Sequence, residues 1–175
     1  GCVCSRSFSR IIKKSSLYYA VNNENIKLYV KPINVRNKTE VTSWKVFMKG
    51  PDESEYENYW WFLSIVFTSD YPLRPPLFRF ISLPYHINVS EDGRVCSSFL
   101  LSNYKSADSV YELVVKTRNL LKTPEEKYSI QEFKLDLWKN HKEKFLEMIK
   151  KSCEDECENF EDCIESYDVK DDKKF

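Results

Sequence analysis

The middle of this 175-residue chain offers one thiol that could act as a nucleophile, Cys96, the only cysteine between Cys4 and Cys153. A thiolate attacks acyl carbonyls, and the attacked oxygen then needs a donor for its developing negative charge. The Asn88 amide can supply that donor. It lies eight residues before Cys96, with an Asp92-Gly93 turn expected between them that folds the loop back on itself. His86 stands ten residues before Cys96. No aspartate or second histidine completes a triad with Cys96 in this motif, so a cysteine protease has no evident base here. Spacing by itself leaves open an inert, buried cysteine beside a polar loop.

The flanking residues narrow that choice. The stretch 71–96 reads YPLRPPLFRFISLPYHINVSEDGRVC, and upstream stand Trp44, Gly50-Pro51 and Tyr56. This resembles the ubiquitin-conjugating enzymes, whose pattern runs W-x5-G-P, Y-P-x-x-P-P, H-P-N and an active-site cysteine ten residues after the histidine. Tyr71-Pro72, Pro75-Pro76, His86, Asn88 and Cys96 match it, and no gap is needed from Trp44 to about Phe145.

The resemblance implies that Cys96 takes ubiquitin or a ubiquitin-like modifier from an activating enzyme as a thioester. It then passes the modifier to a lysine or to a ligase cysteine. By the same resemblance Asn88 is the oxyanion donor and His86 a structural residue of the active-site loop. Leu73 and Ala107 match positions that contact RING-type ubiquitin ligases. Arg10, Lys13 and Lys14 would lie on the basic first helix that recruits the activating enzyme and ligases. No metal or organic cofactor is implied.

Four departures bear on activity. Ile87 replaces the proline of H-P-N, Ser97-Ser98 follow the cysteine, and Tyr104 with Lys105-Ser106-Ala107 replaces the usual tryptophan and S-P-A. Tyr128 stands where an acid commonly orients the incoming lysine, with Glu125 or Glu126 as substitutes. Two alternatives stay open: a non-catalytic scaffold of the same fold that binds ubiquitin or ligases, and a conjugating enzyme for a NEDD-eight-type modifier. The latter is suggested by Pro51-Asp52-Glu53-x-x-Tyr56.

Periodicity supplies the elements that must hold these residues. Phe8, Ile11, Ile12, Ser15 and Tyr19 fall on one face of an amphipathic helix expected within residues 7–21. Ile26, Leu28 and Val30 alternate, as do Trp44, Val46 and Met48, with a polar loop expected over 34–42. Residues 60–67, apolar on both faces, predict an interior strand, and 77–81 a fourth. Val110, Leu113, Val114, Thr117, Leu120 and Leu121 mark a helix opened by the Ser109/Glu112 capping signature. Ser129/Glu132 and Asn140/Glu143 suggest two more. Ile130, Phe133, Leu137 and Trp138 are the expected core stripe of the first, and Phe145, Met148 and Ile149 that of the second. The expected fold is α+β: an N-terminal helix, a four-stranded antiparallel meander, the active-site loop, and three C-terminal helices.

Twenty-seven basic and 27 acidic residues cancel, which argues against a general nucleic-acid binder. Five of the six cysteines lie toward the two ends, so a disulfide framework is not expected. A reducing compartment, cytoplasmic or nuclear, fits. Residues 1–9 read as a tail, 10–152 as the catalytic domain and 153–175 as an acidic extension. If a methionine preceded Gly1, the start would match the N-myristoylation pattern, with Cys2 and Cys4 as palmitoylation candidates and a peripheral membrane anchor as the result.

Overall fold

Strand alternation and helical stripes resolve, in the computed structural model, into five strands and four helices. The structure describes residues 18–35 and 38–156. The strands are β1 (Tyr18–Asn22), β2 (Ile26–Val35), β3 (Lys38–Lys49), β4 (Trp60–Val66) and β5 (Leu77–Phe80). They follow one another as an antiparallel meander in the order β1-β2-β3-β4-β5. The four anticipated strands are in place, and the short β1 adds a further edge strand.

Two expectations change here. Tyr18–Asn22 pairs with β2 and is extended, so the helix expected within 7–21 does not reach Tyr19. Its remainder, with Arg10, Lys13 and Lys14, lies outside the described residues, as do Gly1, Cys2 and Cys4. Most of the expected polar loop 34–42 is strand: Ile33 opposes Glu40 and Val35 opposes Lys38, beyond a register shift at Lys31/Pro32. Thr39, Val41 and Thr42 are β-branched and favour extended backbone, a preference that does not need an apolar alternation. The shift falls at Pro32, which has no N–H to give the ladder.

Both faces of β4 are buried, as its composition demanded. Trp61, Leu63 and Ile65 join Val46, Met48, Phe78 and Phe80 in the core, while Phe62 stacks on Phe47 at 4.7 Å on the other face. Lys45 and Ser64 pair beside them, the Nζ donating to Ser64 Oγ at 3.0 Å.

The helices are α1 (Ser97–Ser102), α2 (Val110–Lys122), α3 (Glu132–Asn140) and α4 (Lys142–Glu156), with a 3₁₀ turn at Glu126–Tyr128. Ser109 and Glu112 form the expected capping box, and the predicted six-residue stripe of α2 is buried. Arg118 on α2 donates to the carbonyls of Lys49 and Gly50 at 2.7 and 2.9 Å, fixing the helix to the end of β3. The other two capping signatures are not used. Gln131 is the N-cap of α3 and makes no side-chain cap bond, and α4 starts at Lys142, beyond Asn140. Helix α4 continues past residue 152 and buries Cys153.

The expected core stripe of α3 holds at Leu137 and Trp138, which pack half-buried against the core, and is revised at its other two residues. Ile130 and Phe133 are 41% and 52% exposed, and the buried side chain of this helix is Lys134. Among the described residues no helix is long and apolar enough to cross a membrane.

Candidate active site

The loop from Tyr85 to Cys96 leaves the sheet after β5 and returns along its own path. Val89 and Val95 form an isolated antiparallel bridge, and the Cys96 N–H donates to the Asn88 carbonyl at 3.0 Å. The Asp92-Gly93 turn closes this excursion as the sequence suggested. Gly93 has φ +87°, and a Cβ built there would meet the Phe80 carbonyl oxygen at 2.0 Å, so only glycine fits. The Ser90 hydroxyl and the Arg94 guanidinium hold the Asp92 carboxylate pKa down at about 2.

Cys96 is the N-cap of α1, a helix additional to the three expected after the active-site loop. Its side chain is half-buried and lines an open cavity of about 410 Å³ bordered by Leu77, Phe78, Arg94, Ser97 and Ile130.

His86 and Asn88 are both fully buried. The Asn88 backbone N–H donates to His86 Nδ1 at 3.1 Å, which makes Nδ1 the acceptor. His86 Nε2 then donates to the Leu120 carbonyl at 3.0 Å. Burial pulls the imidazole pKa down to about 4; the Leu120 carbonyl opposes the shift and the Lys134 charge reinforces it. A neutral ring with both nitrogens engaged is a strut, not a base.

The Asn88 amide is clamped to the backbone of Glu125. Its Nδ2 donates to the Glu125 carbonyl at 2.7 Å, and its Oδ1 accepts from the Glu125 N–H at 2.9 Å. The clamp uses one of the two Nδ2 protons. Ile87, in the proline's place, is buried in the core, and its carbonyl accepts from the Ile130 N–H at 2.9 Å. The loop therefore keeps its path through packing and hydrogen bonds where the family pattern has a ring constraint.

Beyond the clamp, Tyr128 packs edge-on against Phe99 of α1 at 5.9 Å, with Lys127 Nζ 4.7 Å from its ring centroid. Glu126 is exposed and paired with Lys139. Leu73 is 84% exposed, Ala107 is exposed too, and their two loops are joined where the Tyr104 hydroxyl donates to the Pro72 carbonyl at 2.7 Å.

Sequence reasoning missed the two backbone groups that receive His86 and Asn88, at Leu120 and Glu125. Nothing in the residue types marks a carbonyl as an anchor. It also missed Lys134, although that residue stands four after Ile130 and four before Trp138. A lysine on an apolar stripe was the available signal.

The comparisons agree with this geometry. The family model for ubiquitin-conjugating enzyme matches residues 13–153. The chain is 36% identical over 100 residues to the probable bifunctional E2/E3 enzyme R795 of Acanthamoeba polyphaga mimivirus, covering 47% of this chain and 8% of that protein. It is 33% identical over 89 residues to the probable ubiquitin-conjugating enzyme E2 31 of Arabidopsis thaliana, covering 51% of this chain and 58% of that protein. A second mimivirus protein, probable ubiquitin-conjugating enzyme E2 L460, is 28% identical over 147 residues, covering 83% of this chain and 92% of its own length. The chain thus spans less than two thirds of the first two of these relatives. A family match over most of the chain, on the α+β meander and with the motif residues in register, places this chain in the ubiquitin-conjugating enzyme family.

Proposed function

We propose that Cys96 carries ubiquitin or a ubiquitin-like modifier as a thioester. The Cys96 thiolate attacks the thioester carbonyl that joins the modifier to an activating enzyme. A new C–S bond forms, the old one breaks, and the activating enzyme's cysteine leaves as its thiolate. Transfer onward exchanges the Cys96 C–S bond for an amide on a lysine or for a thioester on a ligase cysteine.

The observation that carries this reading is the setting of Cys96. It is half-buried at the mouth of a groove, and its backbone is tied to the Asn88 carbonyl at 3.0 Å. An extended chain end entering the groove would bring its carbonyl past the sulfur. Asn88 serves chiefly by clamping the loop to Glu125, and its second Nδ2 proton supplies the oxyanion donor. With Tyr128 packed on Phe99 and Glu126 held by Lys139, Glu125, which lines a pocket with Glu126 and Lys127, is the carboxylate left to orient a lysine amine. Leu73 and Ala107 offer the surface for a RING-type ligase.

The test is a charging assay with activating enzyme, ATP and ubiquitin, run on non-reducing and reduced gels. A thiol-sensitive adduct that disappears in Cys96→Ala and becomes thiol-resistant in Cys96→Ser supports the reading. The same assay with a NEDD-eight-type modifier separates the two modifiers. No adduct with any modifier leaves the chain as a binding scaffold of this fold.

A further inference from the structure

Lysine is among the residues least often fully buried, and leaving an ammonium in the interior without partners is costly. Lys134 is only 4% exposed, on the face of α3 that packs beneath the active-site loop. Its Nζ donates to the Val89 carbonyl at 3.3 Å and lies 4.9 Å from the centroid of the Tyr85 ring. Both partners belong to the loop that carries His86 and Asn88. Val89 also bridges to Val95, the residue before Cys96. One side chain thus touches the loop at its entry and at its middle.

We propose that Lys134 is a positioning residue for Cys96 chemistry: its buried amine ties helix α3 to the Tyr85–Val95 loop through the Val89 carbonyl and the Tyr85 ring. The inference rests on the thioester reading for its effect on rate, but not for its geometry.

Three features support a role in placing the loop over one in stability. An apolar side chain of similar length would fill the site without a desolvation penalty, and such replacements of buried charges are often neutral or stabilising. Stability alone therefore does not call for a lysine here. Ile87, on the same loop, stands where the family pattern has proline, so the backbone there lacks the ring constraint and the Lys134 contacts help to hold its path. Finally, Lys134 acts on His86 at a distance. The charged groups facing His86 and Lys134 are each other and Glu91 on the loop, with the phenols of Tyr56 and Tyr85 alongside. The Lys134 charge disfavours imidazolium and so keeps Nδ1 available to accept the Asn88 N–H.

The experiment compares the full chain with Lys134→Met in two readouts. The first is the single-turnover rate of thioester discharge, beside the melting temperature. The expected result is a rate lowered by about 10- to 10²-fold, the scale of a small misplacement of reacting groups, with a melting temperature equal to or above wild type. The second is the His86 pKa followed by NMR, expected to rise in Lys134→Met.

A wild-type rate, a rate loss that merely tracks a lowered melting temperature, or an unchanged His86 titration overturns the proposal. If the wild-type chain itself never charges, the thioester reading fails, and the His86 titration still decides the positioning role.

Discussion

Asn88 and Glu125, 37 residues apart, exchange two hydrogen bonds in which the side-chain amide of one meets both the backbone N–H and the backbone carbonyl of the other. That pairing makes Asn88 a joint between the active-site loop and the segment leading to the 3₁₀ turn. Asn88→Ala strips both bonds and leaves the Glu125 N–H without its partner in a part-buried site, while the Glu125 carbonyl keeps the Tyr128 N–H at 3.1 Å. A loss of about 1–3 kcal/mol in unfolding free energy is expected, measured by urea titration. Discharge of a Cys96 thioester should fall by about 10²–10³-fold if the second Nδ2 proton serves the oxyanion. A stability loss with discharge unchanged would restrict Asn88 to the joint.

His86 sets a pH dependence with a definite sign. Unfolded, the imidazole titrates near 6.5; folded, its pKa is held at about 4 by burial. Between those values the unfolded chain binds a proton that the folded chain refuses. Stability contributed by the neutral ring is therefore complete above pH 6.5 and declines as pH falls toward 4, by about 3 kcal/mol in all. Protonation at Nδ1 would also remove the acceptor for the Asn88 N–H. Unfolding titrations across pH 4–7 should show this slope, and His86→Gln should flatten it.

Gly93 carries the return of the loop. With φ +87° and the Phe80 carbonyl oxygen 2.0 Å from where a Cβ would stand, Gly93→Ala must displace either the turn or the end of β5. A cost of at least about 2 kcal/mol is expected, together with slower charging, because Val95 and Cys96 follow directly. Thermal melts and charging time courses measure the two effects. An unchanged melting temperature would refute the steric argument.

The Tyr104–Pro72 bond joins the two loops that carry Leu73 and Ala107. Tyr104→Phe removes one hydrogen bond at the surface and should cost about 0.5–1.5 kcal/mol. Hydrogen exchange should quicken at the Arg74 amide, which donates to the Asp70 carbonyl within that turn. Exchange at wild-type rate would show that the turn is held elsewhere.

The sequence made the sheet, helix α2 and the Cys96 loop legible for physical reasons. Alternation in Trp44, Val46 and Met48, the stripe from Val110 to Leu121, and the Asp92-Gly93 turn each state a local preference that burial then rewards. The paired ends of β2 and β3 around residues 34–35 and 38–42 escaped because their polar residues carry no apolar alternation. Helix α3 misled because Phe133 and Lys134 occupy adjacent positions, and hydrophobicity favoured the wrong one for the core. The destination of the Asn88 amide was illegible, since its partner is a peptide group with no side-chain signature.

The Asn88 clamp also orders events during folding. Each strand of the meander meets its sequence neighbour, so hairpins close over short chain separations. The contacts from His86 to Leu120 and from Asn88 to Glu125 must instead close loops of 34 and 37 residues. The entropy of closing such loops is met only once α2 has docked. The Tyr85–Cys96 loop is therefore expected to lock late, and truncations at Asn88 should chiefly hasten unfolding while leaving the refolding rate almost untouched.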